Sequence, residues 1–341
     1  MSASTYGLGG HTVTLKAGDG ELSQWVARYL APFFCRTPPK QAGWLVGVSH
    51  QTEALSRLRA GYAACSHSNG ERADPEHAIS WTVREGGEWF VRQSDPDIKS
   101  ATWWWTANPR TRRISVWVPP GAGESKYAVA RIVRSLLMSL ARKDGWIQVH
   151  ASCFAVGGRG VLVCGEKGAG KTTILLTALR ALGCTYVGND RLMLEPTFGG
   201  FVAHGLPYSP SVRTKTLDAL GIEMASSTYQ FQRGGAKVRF LAVELCDLLG
   251  ASITSRCVVD LVLFPKYSDS PAVRLLEPDL AMGGVLASVL SELCEFQPVW
   301  DLTYPASGQG LAWPEQLRAV SLDYTDDSLE LQLKGLIALE H

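Results

Sequence analysis

The chain has 341 residues, 46% of them hydrophobic, and a formal net charge of +1. That length admits two domains or one large domain with an appendage, and the apolar content suffices for a sizeable core. The near-neutral balance gives no support for a polyanion-binding surface, so nucleic acid is not an expected partner. The longest apolar runs, such as those around Ile132-Val133 and Leu136-Leu137-Met138, are broken by Arg131, Arg134 and Ser135. None approaches the ~20 residues of a membrane span, and no basic stretch followed by an apolar core opens the chain, so no membrane partner and a cytoplasmic location are expected. The eight cysteines, at 35, 65, 153, 164, 184, 246, 257 and 294, form no C-x-x-C pair, and several sit in apolar runs as small buried hydrophobes. A zinc site or disulfide framework is not expected.

Residues 1 to 125 read as short extended runs: 44–48, 79–83, 89–92, 101–106 and 113–118. Gly, Pro and Asn clusters such as Glu85-Gly86-Gly87 and Asn108-Pro109 separate them, which predicts a mostly antiparallel sheet in an N-terminal α+β domain. Trp103-Trp104-Trp105 would suit a stacking platform, but alternation along a strand sends neighbouring rings to opposite faces, so a strand packed on both faces is expected. After Pro119-Pro120-Gly121-Ala122-Gly123, apolar residues at helical spacing (Ala128, Ile132, Leu136, Leu140) predict a helix, with Lys143 near its C-terminal end. A strand from Trp146 to Phe154 and the turn Gly157-Gly158 follow, leading to the apolar run Val161-Leu162-Val163-Cys164.

Next comes Gly165-Glu166-Lys167-Gly168-Ala169-Gly170-Lys171-Thr172, with Thr173 and the helix-forming run Ile174 to Leu179 behind it. This is G-x-x-x-x-G-K-[ST] in strand–loop–helix context, where backbone N–H groups and a helix N-terminus cradle a polyphosphate. Gly165, Gly168 and Gly170 let the backbone bend and approach the phosphates without a Cβ in the way. Lys171 is placed to reach the β and γ oxygens, and the Thr172 hydroxyl to sit on Mg²⁺. ATP and Mg²⁺ are therefore the expected cofactors. Cys184 to Gly188 reads as a short strand ending at Asn189-Asp190-Arg191, and Leu192 to Pro196 as a further extended run. Asp190, about twenty residues past Lys171 at the end of a strand, is where a nucleotide-binding fold holds a metal-binding carboxylate.

Farther on, Val212 to Leu220 reads as a helix opened by Ser209-Pro210-Ser211, and Arg213 within it as a cation able to neutralise charge on a transferring phosphoryl group, or as a surface arginine. Arg233, Lys237 and Arg239 around Gly234-Gly235 suggest a mobile basic cover over an acceptor, or a solvated loop. Val258 to Phe264 reads as a buried strand closed by Pro265, Asp279 to Leu293 as an amphipathic helix, and Trp313 as the start of the last ordered element. Leu339-Glu340-His341 looks like a tag remnant.

With these residues laid out, the segment from about Tyr127 to Pro207 resembles the HPr kinase/phosphorylase superfamily, serine kinases whose core is related to phosphoenolpyruvate carboxykinase. His150-Ala151-Ser152, Gly160 to Gly165, the loop, and Tyr186-Val187-Gly188-Asn189-Asp190-Arg191 carry the resemblance. The whole chain looks like a divergent branch found with biosynthetic pathways, including kinases of lasso-peptide precursors. The resemblance implies an α/β fold: a P-loop phosphoenolpyruvate-carboxykinase-like kinase core at 126–338 behind an N-terminal domain at 1–125 that is a candidate for substrate recognition. It implies that His150 lies near the reacting phosphate and that Asp190 coordinates Mg²⁺. The family's first acid, a general base, is Asn189 here, and an amide orients a hydroxyl but does not accept its proton. His150 is a candidate substitute base. The family's Glu-x-Arg-Gly segment has no clear counterpart, Glu244 being a weak candidate.

The expected activity is transfer of the γ-phosphoryl group of ATP to a hydroxyl of a peptide, a protein or a small molecule; related kinases are often oligomers, so a second copy of the chain is a candidate partner. The alternative keeps the fold as an ATP-binding sensor or scaffold. A transporter-type ATPase fits poorly, because Asp260 stands in mid-strand and Ser307-Gly308-Gln309-Gly310 lies in an apparent loop.

Overall fold

The computed structural model describes residues 2–36, 43–64, 70–73, 78–84, 87–94, 102–119, 125–222, 237–289 and 313–338. These form a mixed α/β protein that divides into two compact units, one up to Lys143 and one from Asp144 onward. Of the basic segment, Arg233 with Gly234-Gly235 lies outside the described residues while Lys237 and Arg239 lie on a described strand; residues 120–123, 307–310 and 339–341 lie outside them as well. Among the described residues no helix is long and apolar enough to cross a membrane.

In the first unit, β1 (Ser2–Leu8) and β2 (His11–Ala17) form a hairpin around Gly9-Gly10, and α1 (Gly20–Leu30) follows. Asp19 opens that helix by accepting from the backbone of Glu21 at 2.8 Å. Then come β3 (Cys35–Arg36), β4 (Trp44–Ser49), α2 (Thr52–Ala64), β5 (Gly70–Ala73), β6 (Ala78–Arg84), β7 (Glu88–Ser94), β8 (Thr102–Asn108), β9 (Arg113–Trp117) and α3 (Ser125–Lys143). The described strands make one sheet in the order β3-β1-β2-β4-β9-β8-β7-β6-β5. β4 is parallel to β2 and to β9, and the other pairings are antiparallel. Helix α3 packs on α1 and β2 and so belongs to this unit. On β8, Trp103 and Trp105 are buried on one face, while Trp104 turns to the other. There it meets Tyr62 of α2 edge-on at 5.4 Å, with Arg59 and Arg92 over its ring. The strand is packed on both faces.

The second unit contains β10 (Ile147–Val149), β11 (Ser152–Val156), β12 (Arg159–Val163), α4 (Lys171–Leu182), β13 (Thr185–Gly188), β14 (Leu192–Thr197), β15 (Gly200–Gly205) and β16 (Ser211–Arg213). It continues with α5 (Thr214–Ala219), β17 (Lys237–Arg239), α6 (Ala242–Leu249), β18 (Arg256–Tyr267), β19 (Ala272–Leu275), α7 (Pro278–Ala287), β20 (Arg318–Tyr324) and α8 (Asp326–Ala338). The main sheet runs β10-β14-β15-β18-β12-β11-β13, with β20 and β19 branching from β18. β12, β18 and β20 are mutually parallel and the remaining pairs antiparallel. Ala281, Met282 and Val285 of α7 close the core over Val149, Cys164, Leu194 and Val262. Helix α4 packs on β11 and α8. Its Leu176 anchors a satellite core of Val212, Leu217, Val238, Phe240 and Leu245.

Several elements differ from the sequence reading. The run from Trp146 to Phe154 breaks at His150-Ala151, because β10 pairs with β14 while β11 pairs with β12 and β13. Ser211 to Arg213 is not helical: it pairs with β17, and the helix starts at Thr214. Pro265 does not end its strand. Leu263 gives its carbonyl to Cys164 N at 2.9 Å, and two residues on Pro265 faces the same side, where β12 has already ended, so the missing N–H costs the ladder nothing. β18 continues to Tyr267 on β20 alone. Helix α7 spans Pro278–Ala287, and 290–293 lie outside the described residues. Trp313 precedes the last strand and donates its indole N–H to Leu317 O at 2.7 Å.

Candidate active site

The loop after β12 is shaped by three glycines with φ in the left-handed range: Gly165 at 143°, Gly168 at 95° and Gly170 at 98°. A Cβ on Gly170 would collide with the Tyr324 hydroxyl, so the close packing of β20 beneath the loop requires a glycine there. Gly170 is also the N-cap of α4 and offers no side-chain acceptor. The first amides of the helix are therefore left for an anion, at the positive end of its dipole. Glu166, Lys167 and Gly168 are exposed, Gly165, Ala169, Thr172 and Thr173 half-buried.

Lys171 is buried at 7% exposure, and its ammonium donates to the carbonyls of Gly165 at 2.7 Å and Glu166 at 2.9 Å. It thereby staples the loop, and of its three N–H groups one is left for a ligand. Burial pushes its pKa below the ordinary lysine value, against the raising influence of Cys164 and Asp190.

Beside the loop, β13 ends at Gly188 and is followed by Asn189 and Asp190. The buried Asn189 accepts two hydroxyls on its amide oxygen, Ser152 at 2.7 Å and Thr172 at 3.3 Å. The amide thus ties β11 to the loop threonine and orients hydroxyls as its chemistry allows. Asp190 has φ 74°, unusual for a residue with a side chain. His150 donates from Nδ1 to the Asp190 carbonyl at 2.8 Å, and the same nitrogen lies 3.3 Å from Asp190 Oδ1. That bond fixes the tautomer, leaving Nε2 with its lone pair. The His150 backbone is held by its N–H to Ser288 O at 2.7 Å.

His150, Lys171, Thr172, Asn189 and Asp190 are thus gathered at one loop. Arg213 is not tied to them: it is exposed on β16, paired with Lys237 of β17. Glu244 lies in the first turn of α6. Its carboxylate accepts from Leu241 N at 2.9 Å and caps α6. Asp260 lies 3.7 Å from Arg159 at the start of β12, the end opposite the loop. Sequence reasoning included Ser152 and Arg191 in the motifs that carry the resemblance but gave neither a role of its own, and it missed Tyr324; the Arg191 guanidinium lies over the Tyr208 ring at 5.4 Å.

The Thr172 hydroxyl and the Asp190 carboxylate are hard oxygen donors of the kind Mg²⁺ takes. No group of three or more His, Cys, Asp or Glu among the described residues would hold a metal unaided.

No family model and no curated protein matches this chain. Among solved structures, the chain is similar to the HPr(Ser) kinase/phosphatase from Coxiella burnetii, with 15% sequence identity over 57% of this chain and 89% of that one, at a TM-score of 0.30.

Proposed function

We propose that the protein is an ATP-dependent kinase that transfers the γ-phosphoryl group to a hydroxyl of a peptide, a protein or a biosynthetic small molecule, on a core of the HPr-kinase kind. The carrying observation is the loop with its three left-handed glycines, tied through Thr172 and Asn189 to the Asp190–His150 pair. The loop amides and the α4 N-terminus bind the phosphates. Lys171 turns one N–H, or gives up its bonds to Gly165 and Glu166, to neutralise charge on them. Thr172 and Asp190 would hold Mg²⁺, which supplies charge neutralisation on the phosphate oxygens. His150 Nε2 accepts the proton of the acceptor hydroxyl as its oxygen bonds to the γ-phosphorus, and the bond from that phosphorus to the ADP oxygen breaks. Asn189 orients Thr172 and takes no proton.

A second reading, an ATP-binding sensor without turnover, is favoured by one observation: the oxygen that replaces the family's basic carboxylate is an amide already occupied by Ser152 and Thr172. Binding and turnover of Mg-ATP by wild type, Lys171→Ala and His150→Ala separate the two. A kinase forms ADP, even slowly and to water, in a Lys171- and His150-dependent way; a sensor binds ATP and leaves it intact.

A further inference from the structure

The proposed reaction assigns the triphosphate to the loop and says nothing of the base. β12, β18 and β20 run parallel, so the phosphate loop, Tyr267 and Tyr324 all stand at the carboxyl ends of adjacent strands, the edge at which open α/β sheets collect ligands. Tyr267 and Tyr324 are direct partners in the β18–β20 register, and their rings meet edge to face at 5.7 Å with an interplanar angle of 83°. Tyr324 is buried at 3%, with its hydroxyl against Gly170 of the loop. Tyr267, propped by it, is 57% exposed. The backbone behind Tyr267 is held in place as well, since Ser268 N donates to Tyr324 O at 3.0 Å. An open aromatic face, braced by a neighbour that itself abuts the glycine-rich loop, thus stands at the same sheet edge as that loop.

We infer that Tyr267 is the stacking platform for the nucleobase of the bound nucleoside triphosphate, with Tyr324 as its brace. The inference rests on the nucleotide-binding reading above. Stacking on a π face is tolerant of base identity, so it holds adenine and guanine alike and ignores a triphosphate without a base.

Equilibrium binding of Mg-ATP, Mg-GTP and Mg-tripolyphosphate to the full chain, as wild type, Tyr267→Ala, Tyr267→Trp and Lys171→Ala, tests it. Tyr267→Ala is expected to weaken both nucleotides about tenfold and to leave tripolyphosphate unchanged, with Tyr267→Trp restoring wild-type affinity. Tyr267 is exposed, so its removal spares the core. ATP binding that depends on Lys171 but not on Tyr267 would overturn this inference alone, as would an equal loss for tripolyphosphate. A wild type that binds none of the three probes would overturn the nucleotide reading and this inference with it.

Discussion

Alanine at Asn189 would remove the oxygen on which the Ser152 and Thr172 hydroxyls close. Ser152 is 1% exposed and Asn189 4%, so water does not replace the 2.7 Å bond, and the orphaned hydroxyl costs about 1–3 kcal/mol. Thr172 is only half-buried and its contact is 3.3 Å, so solvent takes over most of that bond. The net expectation is ~2 kcal/mol lost by Asn189→Ala, ~1 kcal/mol by Ser152→Ala, and a double mutant hardly worse than Asn189→Ala alone. Urea titrations of the four proteins, followed by circular dichroism, give the coupling, expected at about 1 kcal/mol. Activity adds a readout that packing alone would not move: Asn189→Ala releases Thr172 and raises KM for Mg-ATP, whereas Ser152→Ala, which leaves the Thr172 bond in place, raises it less. Additive stabilities within 0.3–0.5 kcal/mol, the usual scatter for independent sites, would refute the Ser152–Asn189–Thr172 chain.

His150→Ala is expected to lower kcat by about 10²–10⁴-fold with little change in ATP affinity, measured by initial rates at saturating Mg-ATP. Gly170→Ala forces a side chain into φ 98° and onto the Tyr324 hydroxyl, for a loss of about 2–5 kcal/mol in a thermal melt; a Tyr324→Phe background, lacking the colliding oxygen, recovers part of it. Burial raises the Cys164 thiol from 9.0 to about 12, so the folded form keeps a proton that the unfolded chain releases. Stability from this group is complete below pH 9 and falls as pH rises from about 9 towards 12, by ~1.4 kcal/mol at pH 10, and the buried Cys184 and Cys246 act in the same direction. Denaturation midpoints at pH 8 and pH 10 are expected to differ less in Cys164→Ala than in wild type.

The glycine-rich loop between β12 and α4 was legible because its geometry is local: left-handed turns demand glycine, and the flanking strand and helix announce themselves by composition. The alternating runs at 44–49, 78–84, 88–94, 102–108 and 113–117 were legible for the same reason. Helix α2 was not, since of its residues only Leu58 is fully buried and so its apolar period is faint. Ser152 stood in the His150-Ala151-Ser152 motif, but its bond to Asn189 was not legible, because it exists only once β11 lies beside β13, with Cys153 opposite Gly188. Pro265 misled through a sound rule: proline breaks a ladder, but here the ladder on that side had already ended. Glu244 and Arg213 show the converse, charged residues of suitable type that the chain spends on a helix cap and an exposed ribbon.

The central claim is that this loop delivers a phosphoryl group to a hydroxyl. Its most direct test is incubation of the protein with γ-labelled Mg-ATP and a panel of Ser/Thr peptides and a metabolite extract, followed by separation of labelled products, with Lys171→Ala as control. The account expects a Lys171-dependent, acid-stable phosphate ester. Label released with no dependence on Lys171, or ATP bound and returned intact, would contradict it.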